Sequence, residues 1–219
     1  MTRPMNHHRP GPVRALAGGL AATLLALTAG CTGDDEAADD APSALPDQSV
    51  GSQPTLEAKP VPMEVEVAQV AGGRLKREQR RRLETQVSAT LSKYFDQAFL
   101  AGEYPREDFA SALDTFSRGA ASRAASDRAL LTNARIGKTT EAVVPRAKQA
   151  RLDVLVPNRF VAGLTARVRL VFVQESTDGA DQKVTVAGRL LMSRKKSGSW
   201  QIFGYDVTRS SVPAAKGAN

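Results

Sequence analysis

Four side chains in this sequence carry proton-transfer chemistry at short spacing: Tyr94 with Asp96, and Tyr205 with Asp206. Each pair sets a phenol that can donate a proton beside a carboxylate that can accept one, the equipment for acid-base work at a carbonyl. Each residue also has a plainer reading. Tyr94 lies on an apolar stripe and is expected in a core with its hydroxyl at the rim. Asp96 and Asp206 fall on polar faces, where solvation accounts for them, and Trp200, beside a hairpin turn, reads as a core plug. Tyr94 and Tyr205 are therefore candidate pocket residues, and a small isomerase or hydrolase-like enzyme using Tyr and Asp is the alternative function.

Other catalytic equipment is confined to the beginning of the chain. Histidine occurs at positions 7 and 8 and cysteine at position 31, and nowhere else. A single cysteine excludes an internal disulfide framework or a thiolate metal cluster. Residues 1–14 hold Arg3, Arg9 and Arg14 and no acid, and an apolar run from Ala15 to Ala29 follows. That is a signal-peptide layout, and the run falls short of the roughly 20 residues that span a bilayer. A transmembrane anchor is the competing reading.

Leu27-Thr28-Ala29-Gly30-Cys31 resembles a bacterial lipobox, with small residues before the cysteine and Thr28 where leucine is commonest. The resemblance implies removal of residues 1–30 and acylation of Cys31, by diacylglycerol and palmitate, on the extracytoplasmic face of a membrane. Two chains are what stable anchoring needs. An incidental cysteine near another cleavage site is the alternative. With His7 and His8 removed and Cys31 acylated, Ser-His, Cys-His and His-ligated metal mechanisms are excluded. No catalytic residue, cofactor or metal site is assigned.

Residues 31–60 read as a disordered acidic tether, with seven acids against Lys59 and no aromatic residue. The cluster Asp34 to Asp40 lacks the glycine turn and ligand spacing of a calcium loop and reads as solvated. From Val61 onward the sign reverses, with 26 Lys and Arg against 16 Asp and Glu. A basic domain near an anionic membrane is attracted to it. Nucleic acid is not an expected partner, since the compartment is wrong and no aromatic motif accompanies the charge. Arginine outnumbers lysine 21 to 9, which points to a GC-rich genome and an actinobacterial source.

The elements that position these residues divide into a helical and a strand half, an α+β arrangement. A first helix is expected from about Leu75 to Ala101, with Leu83, Val87, Leu91, Tyr94, Phe95, Ala98 and Phe99 as its stripe. Arg77, Arg80, Arg81 and Arg82 crowd its first turns as candidate contacts to an anionic surface. Glu78 with Arg82, and Arg80 with Glu84, are expected to pair at i,i+4. A second helix opens at Pro105 and stops at Gly119, with Phe109, Ala112, Leu113 and Phe116 inward; a third covers about 121–131. Alternation then predicts four strands, around Leu152 to Val156, Ala166 to Phe172, Val184 to Met192 and Trp200 to Thr208. Turn signals at Pro157-Asn158, Asp178-Gly179 and Ser197-Gly198 join them as antiparallel hairpins. Gly72-Gly73 follows no strand that would make it a phosphate loop.

The stretch from Gly137, above all Gly188-Arg189-Leu190-Leu191-Met192 to Trp200-Gln201-Ile202-Phe203, resembles the last hairpin of nuclear transport factor two-like domains. Some of these occur in actinobacterial envelope proteins. The resemblance implies helices packed on a curved four-stranded antiparallel sheet, cone-like, over 61–212, followed by a disordered tail at 213–219. Enzymes of that fold pair Asp with His or Tyr inside the cone, and the histidine is missing here. The expected protein is a lipid-anchored, non-catalytic envelope module. It would bind an envelope protein or an apolar ligand through its cone mouth or its basic helix end.

Overall fold

The computed structural model describes residues 60–215. The expected signal peptide, Cys31, the tether up to 59 and the last four residues lie outside the described residues. Strand β1 (Met63–Ala71) leads into helix α1 (Arg77–Phe95), which continues through a π-helical turn (Asp96–Leu100). Short helices α2 (Arg118–Ala124) and α3 (Arg128–Leu131) precede four long strands: β2 (Thr140–Leu155), β3 (Gly163–Ser176), β4 (Gln182–Arg194) and β5 (Trp200–Pro213). The described chain is thus α+β, with one five-stranded open sheet in the order β1-β2-β3-β4-β5.

Four antiparallel strands are expected from the sequence, whereas the sheet has five and is mixed, because β1 pairs parallel with β2. Val65 and Val67 alternate with Glu64 and Glu66, a half-buried strand pattern. The partner lies far along the chain, Met63 opposite Lys148, so no local turn signal announces the pairing. Gly72-Gly73 therefore does follow a strand. A Cβ on Gly73 would lie 2.6 Å from the Val156 carbonyl oxygen, so its close approach serves packing. Edge strands need their free backbone groups covered, and α1 does this at Val67. Glu84 Oε1 accepts from the Val67 N–H at 3.0 Å and Arg80 Nη1 donates to the Val67 carbonyl at 2.9 Å. The expected Arg80 to Glu84 pairing is replaced by this double clamp.

Helix α1 forms where its stripe predicts, and Leu83, Val87, Leu91, Tyr94, Phe95, Ala98 and Phe99 are all buried. The second expected helix is reduced to a 3-10 turn, Ala110–Leu113. Arg106 donates to the carbonyls of Ala101 and Asp108, and its own N–H bonds the Gly137 carbonyl, so side chain and backbone hold 102–109 as an irregular loop. Phe109, Ala112 and Phe116 are buried nonetheless. Gly119 lies inside α2 instead of ending a helix, because the Ser117 hydroxyl caps that helix from the Ala120 N–H at 3.3 Å. The third expected helix is split into α2 and α3.

The sheet supplies the other wall of the core. Ala150, Leu152 and Val154 on β2, Ala166, Val168, Leu170 and Phe172 on β3, and Val184, Val186, Leu190 and Met192 on β4 are buried at alternate positions. Trp200 and Ile202 on β5 join them, Trp200 as a core residue. Strand β2 begins twelve positions before its expected apolar run, and Pro145 sits within it beside a register shift. Residues before Lys148 have no β1 partner, and a free edge is where a sheet tolerates proline. In β4, Gly188 has φ +147 and a Cβ there would lie 2.2 Å from the Asp206 carbonyl oxygen. That glycine lets β5 pass close to β4 in the hairpin noted in the sequence.

Candidate binding site at the mouth of the sheet

The interior between α1 and the sheet is filled. Tyr94 packs against Phe95, Phe99 and Phe116 at ring-centroid distances of 5.2–5.9 Å, and Phe99 against Phe172 at 6.1 Å. The Tyr94 hydroxyl donates to the Leu131 carbonyl at 3.0 Å, and burial holds its pKa far above the ordinary phenol value. It is a structural tie between α1 and α3, not a rim donor.

Of the four candidate acid-base residues, the two tyrosines come close, both against the Phe116 ring at 5.2 and 6.1 Å, while the two aspartates engage other partners. Asp96 bonds Lys148 Nζ at 3.3 Å. Lys148 occupies an inward position of β2 and is 8% exposed, so Asp96 neutralises a buried cation and is not simply solvated. Asp206 pairs on the outer face with Arg189 at 2.9 Å. Tyr205 donates to Asp127 Oδ2 at 2.7 Å. Desolvation, the hydrogen bond to Asp127 and the Asp127 charge push the Tyr205 hydroxyl up to about 12. Asp127, its actual partner, stands 78 positions away in sequence, beyond the reach of local spacing.

The four helix-end arginines differ in their contacts. Arg80 is committed to Val67, and Arg82 to Glu78 as expected. Arg77 and Arg81 are exposed.

A different site emerges where the inner face of the sheet turns polar. On β3 the buried row Val168, Leu170, Phe172 runs on to Gln174; on β5 the row Tyr205, Val207 runs on to Arg209 and Ser211. Register places Phe172 and Ser211 on either side of Val184, and Arg209 opposite Val186. The segment 129–136, α3 and the turn after it, forms the other wall. Between them lies a concavity of about 370 Å³ lined by Ala129, Leu130, Arg135, Ile136, Gln174, Val184, Arg209, Ser210 and Ser211. That volume is at the low end for small-molecule sites, roughly 300–1,000 Å³.

Arg209 is held rigidly at this mouth. Its Nη1 donates to the Thr132 carbonyl at 2.8 Å and its Nη2 to Asn133 Oδ1 at 3.0 Å. The guanidinium lies 5.9 Å from the Phe99 ring centroid, a cation–π distance. Asn133 is fully buried and is itself fixed, donating to the Phe99 carbonyl at 2.8 Å and to the Tyr104 hydroxyl oxygen at 3.1 Å. Two guanidinium donors are thus spent on neutral acceptors, and the group has three more. Desolvation pulls the Arg209 pKa down to about 10, with Tyr104 opposing the shift and the neighbouring Arg135 charge adding to it. It remains a cation at neutral pH.

On the outer face, by contrast, Arg151, Arg167 and Arg189 stand opposite one another across β2, β3 and β4, and each has a carboxylate: Glu66, Asp153 and Asp206. Among the described residues no carboxylate pairs with Arg209 or Arg135, and none lines the concavity.

Among the described residues no helix is long and apolar enough to cross a membrane. Comparison of the chain with protein-family models, with curated proteins and with solved structures finds no match.

Proposed function

We propose that this chain is an extracytoplasmic lipoprotein, anchored in a membrane through acylated Cys31, whose α+β domain binds a ligand without transforming it. The anchor rests on the basic start of the chain, the apolar run from Ala15 to Ala29 and the lipobox-like Leu27 to Cys31. The observation that carries the binding role is the mouth concavity, lined by fixed hydrogen-bond donors and apolar walls, with no carboxylate to take a proton. The Tyr and Asp residues that could serve an enzyme are spent on separate structural partners. Helices that precede an antiparallel meander of β2 to β5 also support reading the domain as a cone similar to nuclear transport factor two-like domains. The parallel strand β1 is an addition at its edge.

Mass spectrometry of protein purified from membranes tests the anchor. The expected species begins at Cys31 with acyl chains attached, and Cys31→Ser moves the protein to the soluble fraction. An unmodified Cys31 in the wild-type chain, or a mature chain that begins at Met1, overturns the reading.

A further inference from the structure

A guanidinium withdrawn from water without a carboxylate is electrostatically costly, because burial penalises the charge and only an opposite charge or well-formed hydrogen bonds offset it. Arg209 has partial compensation from two neutral acceptors, and the second guanidinium at the mouth, Arg135, adds repulsion. The protein can pair its arginines with acids, as the outer face shows three times. At the mouth it places hydroxyls and aliphatic side chains around the charge instead. Such a place is completed by an anion from outside. Arginine suits an oxyanion, since its planar fork can give two parallel hydrogen bonds. The remaining walls are apolar, from Ala129, Leu130, Ile136 and Val184.

We propose that the mouth of the sheet binds a small amphiphilic oxyanion, with a phosphate or carboxylate head between Arg209 and Arg135 and a short apolar body against Leu130, Ile136 and Val184. Ser210, Ser211 and Gln174 line the same space. Gln174 is oriented by its own amide donating to the Thr140 hydroxyl oxygen at 3.0 Å. The inference rests on the binding role proposed above and names the class of ligand. The head group can belong to an anionic phospholipid or to a soluble organic phosphate, and the same contacts serve both.

Titration calorimetry of the full chain with n-hexyl phosphate tests it, with n-hexanol and inorganic phosphate as partial probes. Hexyl phosphate is expected to bind at least tenfold more tightly than either, and more weakly as salt rises. A charged hydrogen bond of the usual strength makes Arg209→Gln cost about thirtyfold in affinity. Because Arg209 also ties Thr132 and Asn133, two variants outside that network keep the test decisive. Exposed Arg135→Gln is expected to cost about fivefold, and Ser211→Trp to block the space and abolish binding. Arg167→Gln on the outer face changes nothing. Displacement of hexyl phosphate by phosphatidylglycerol vesicles, but not by phosphatidylcholine vesicles, assigns a lipid source; displacement by glycerol 3-phosphate assigns a soluble one. Hexanol binding as tightly as hexyl phosphate, or affinity unchanged in both Arg135→Gln and Ser211→Trp, overturns the inference. Failure to bind by a chain that carries the acyl anchor removes the oxyanion and leaves the tethered module standing. Binding by a chain that lacks the anchor does the reverse.

Discussion

Two cations, Lys148 and Arg209, project from inward positions of the same sheet and meet opposite treatment. Lys148, on β2, reaches Asp96 on the turn that extends α1, with Ser92 Oγ at 3.4 Å as a weaker contact. Arg209, on β5, reaches only carbonyl and amide oxygens and faces a second arginine across a concavity. The first charge is cancelled where helix and sheet close on each other; the second is left positive where they part. A fold that needed both merely for cohesion would neutralise both. The difference separates a cation that ties layers together from one held ready for something outside the chain.

The largest expected effect comes from the wall between these regions. Phe99 packs on Tyr94, Phe95 and Phe172 and lies under the Arg209 guanidinium. Phe99→Ala is expected to cost about 3–5 kcal/mol in denaturant unfolding, by lost burial and the cavity left behind. A cost under about 1 kcal/mol would mean that the interior is not the packed layer described. Next in size, hexyl phosphate at a hundred times its dissociation constant should stabilise the wild-type chain by about 2.7 kcal/mol. Asp96→Asn should keep that increment and Arg135→Gln, about fivefold weaker in binding, should lose about a third of it at the same concentration. Equal increments in the two variants would erase the distinction between the two cations.

Replacing each cation by an apolar chain of similar reach sharpens the contrast. Lys148→Met strands the Asp96 carboxylate, but that carboxylate is 41% exposed and rehydrates in part. The expected loss is therefore about 1–2 kcal/mol, less than for a fully buried pair. Arg209→Met removes a desolvated charge that no acid offsets, at the expense of two charge-assisted hydrogen bonds to the Thr132 carbonyl and the Asn133 amide oxygen. These nearly cancel, for a net change within about 1 kcal/mol. The reverse order of the two losses in chemical denaturation would break the comparison.

How far these roles are legible in the sequence follows from the range of each interaction. Helix α1 and the hairpins of β3, β4 and β5 rest on local periodicity and turn residues, and they form where Leu83, Val87, Leu91 and the Asp178-Gly179 and Ser197-Gly198 turns indicate. Strand β1 is lost to sequence reading because its parallel partner lies beyond a helix and a long irregular segment. The second helix is lost because Arg106 satisfies the backbone of 101–108 by another route. The mouth leaves a quieter signal, an inward row that turns polar toward the same end of the sheet on two strands, Phe172 to Gln174 and Val207 to Arg209. Either substitution alone reads as a fraying strand end. That both line one concavity depends on the order β3-β4-β5, which only the fold supplies. Likewise Tyr205 was legible as a phenol near an acid, but its neighbour Asp206 points to the opposite face and its partner is Asp127.

That last pair gives the smallest effect and the one with a defined pH window. The folded Tyr205 hydroxyl ionises near 12 against 10.0 for a free phenol, so the folded state favours the protonated form. The associated stability is fully present below pH 10 and is lost as pH rises through about 12. Because the pair is largely solvent-exposed, its contribution is small, and Tyr205→Phe should cost under about 1 kcal/mol at neutral pH. The sharper readout is the slope. Between pH 10 and 12 the wild-type chain should lose more stability than Tyr205→Phe, so that the two unfolding curves converge. Asp127→Asn should bring the phenolate absorbance of Tyr205 in at lower pH, because the acceptor bond and the negative charge that oppose ionisation weaken together. Parallel stability curves across that window, with an unmoved absorbance step, would show that Asp127 does not hold Tyr205, leaving the Arg209 bond to the Thr132 carbonyl to tie the end of α3 to β5.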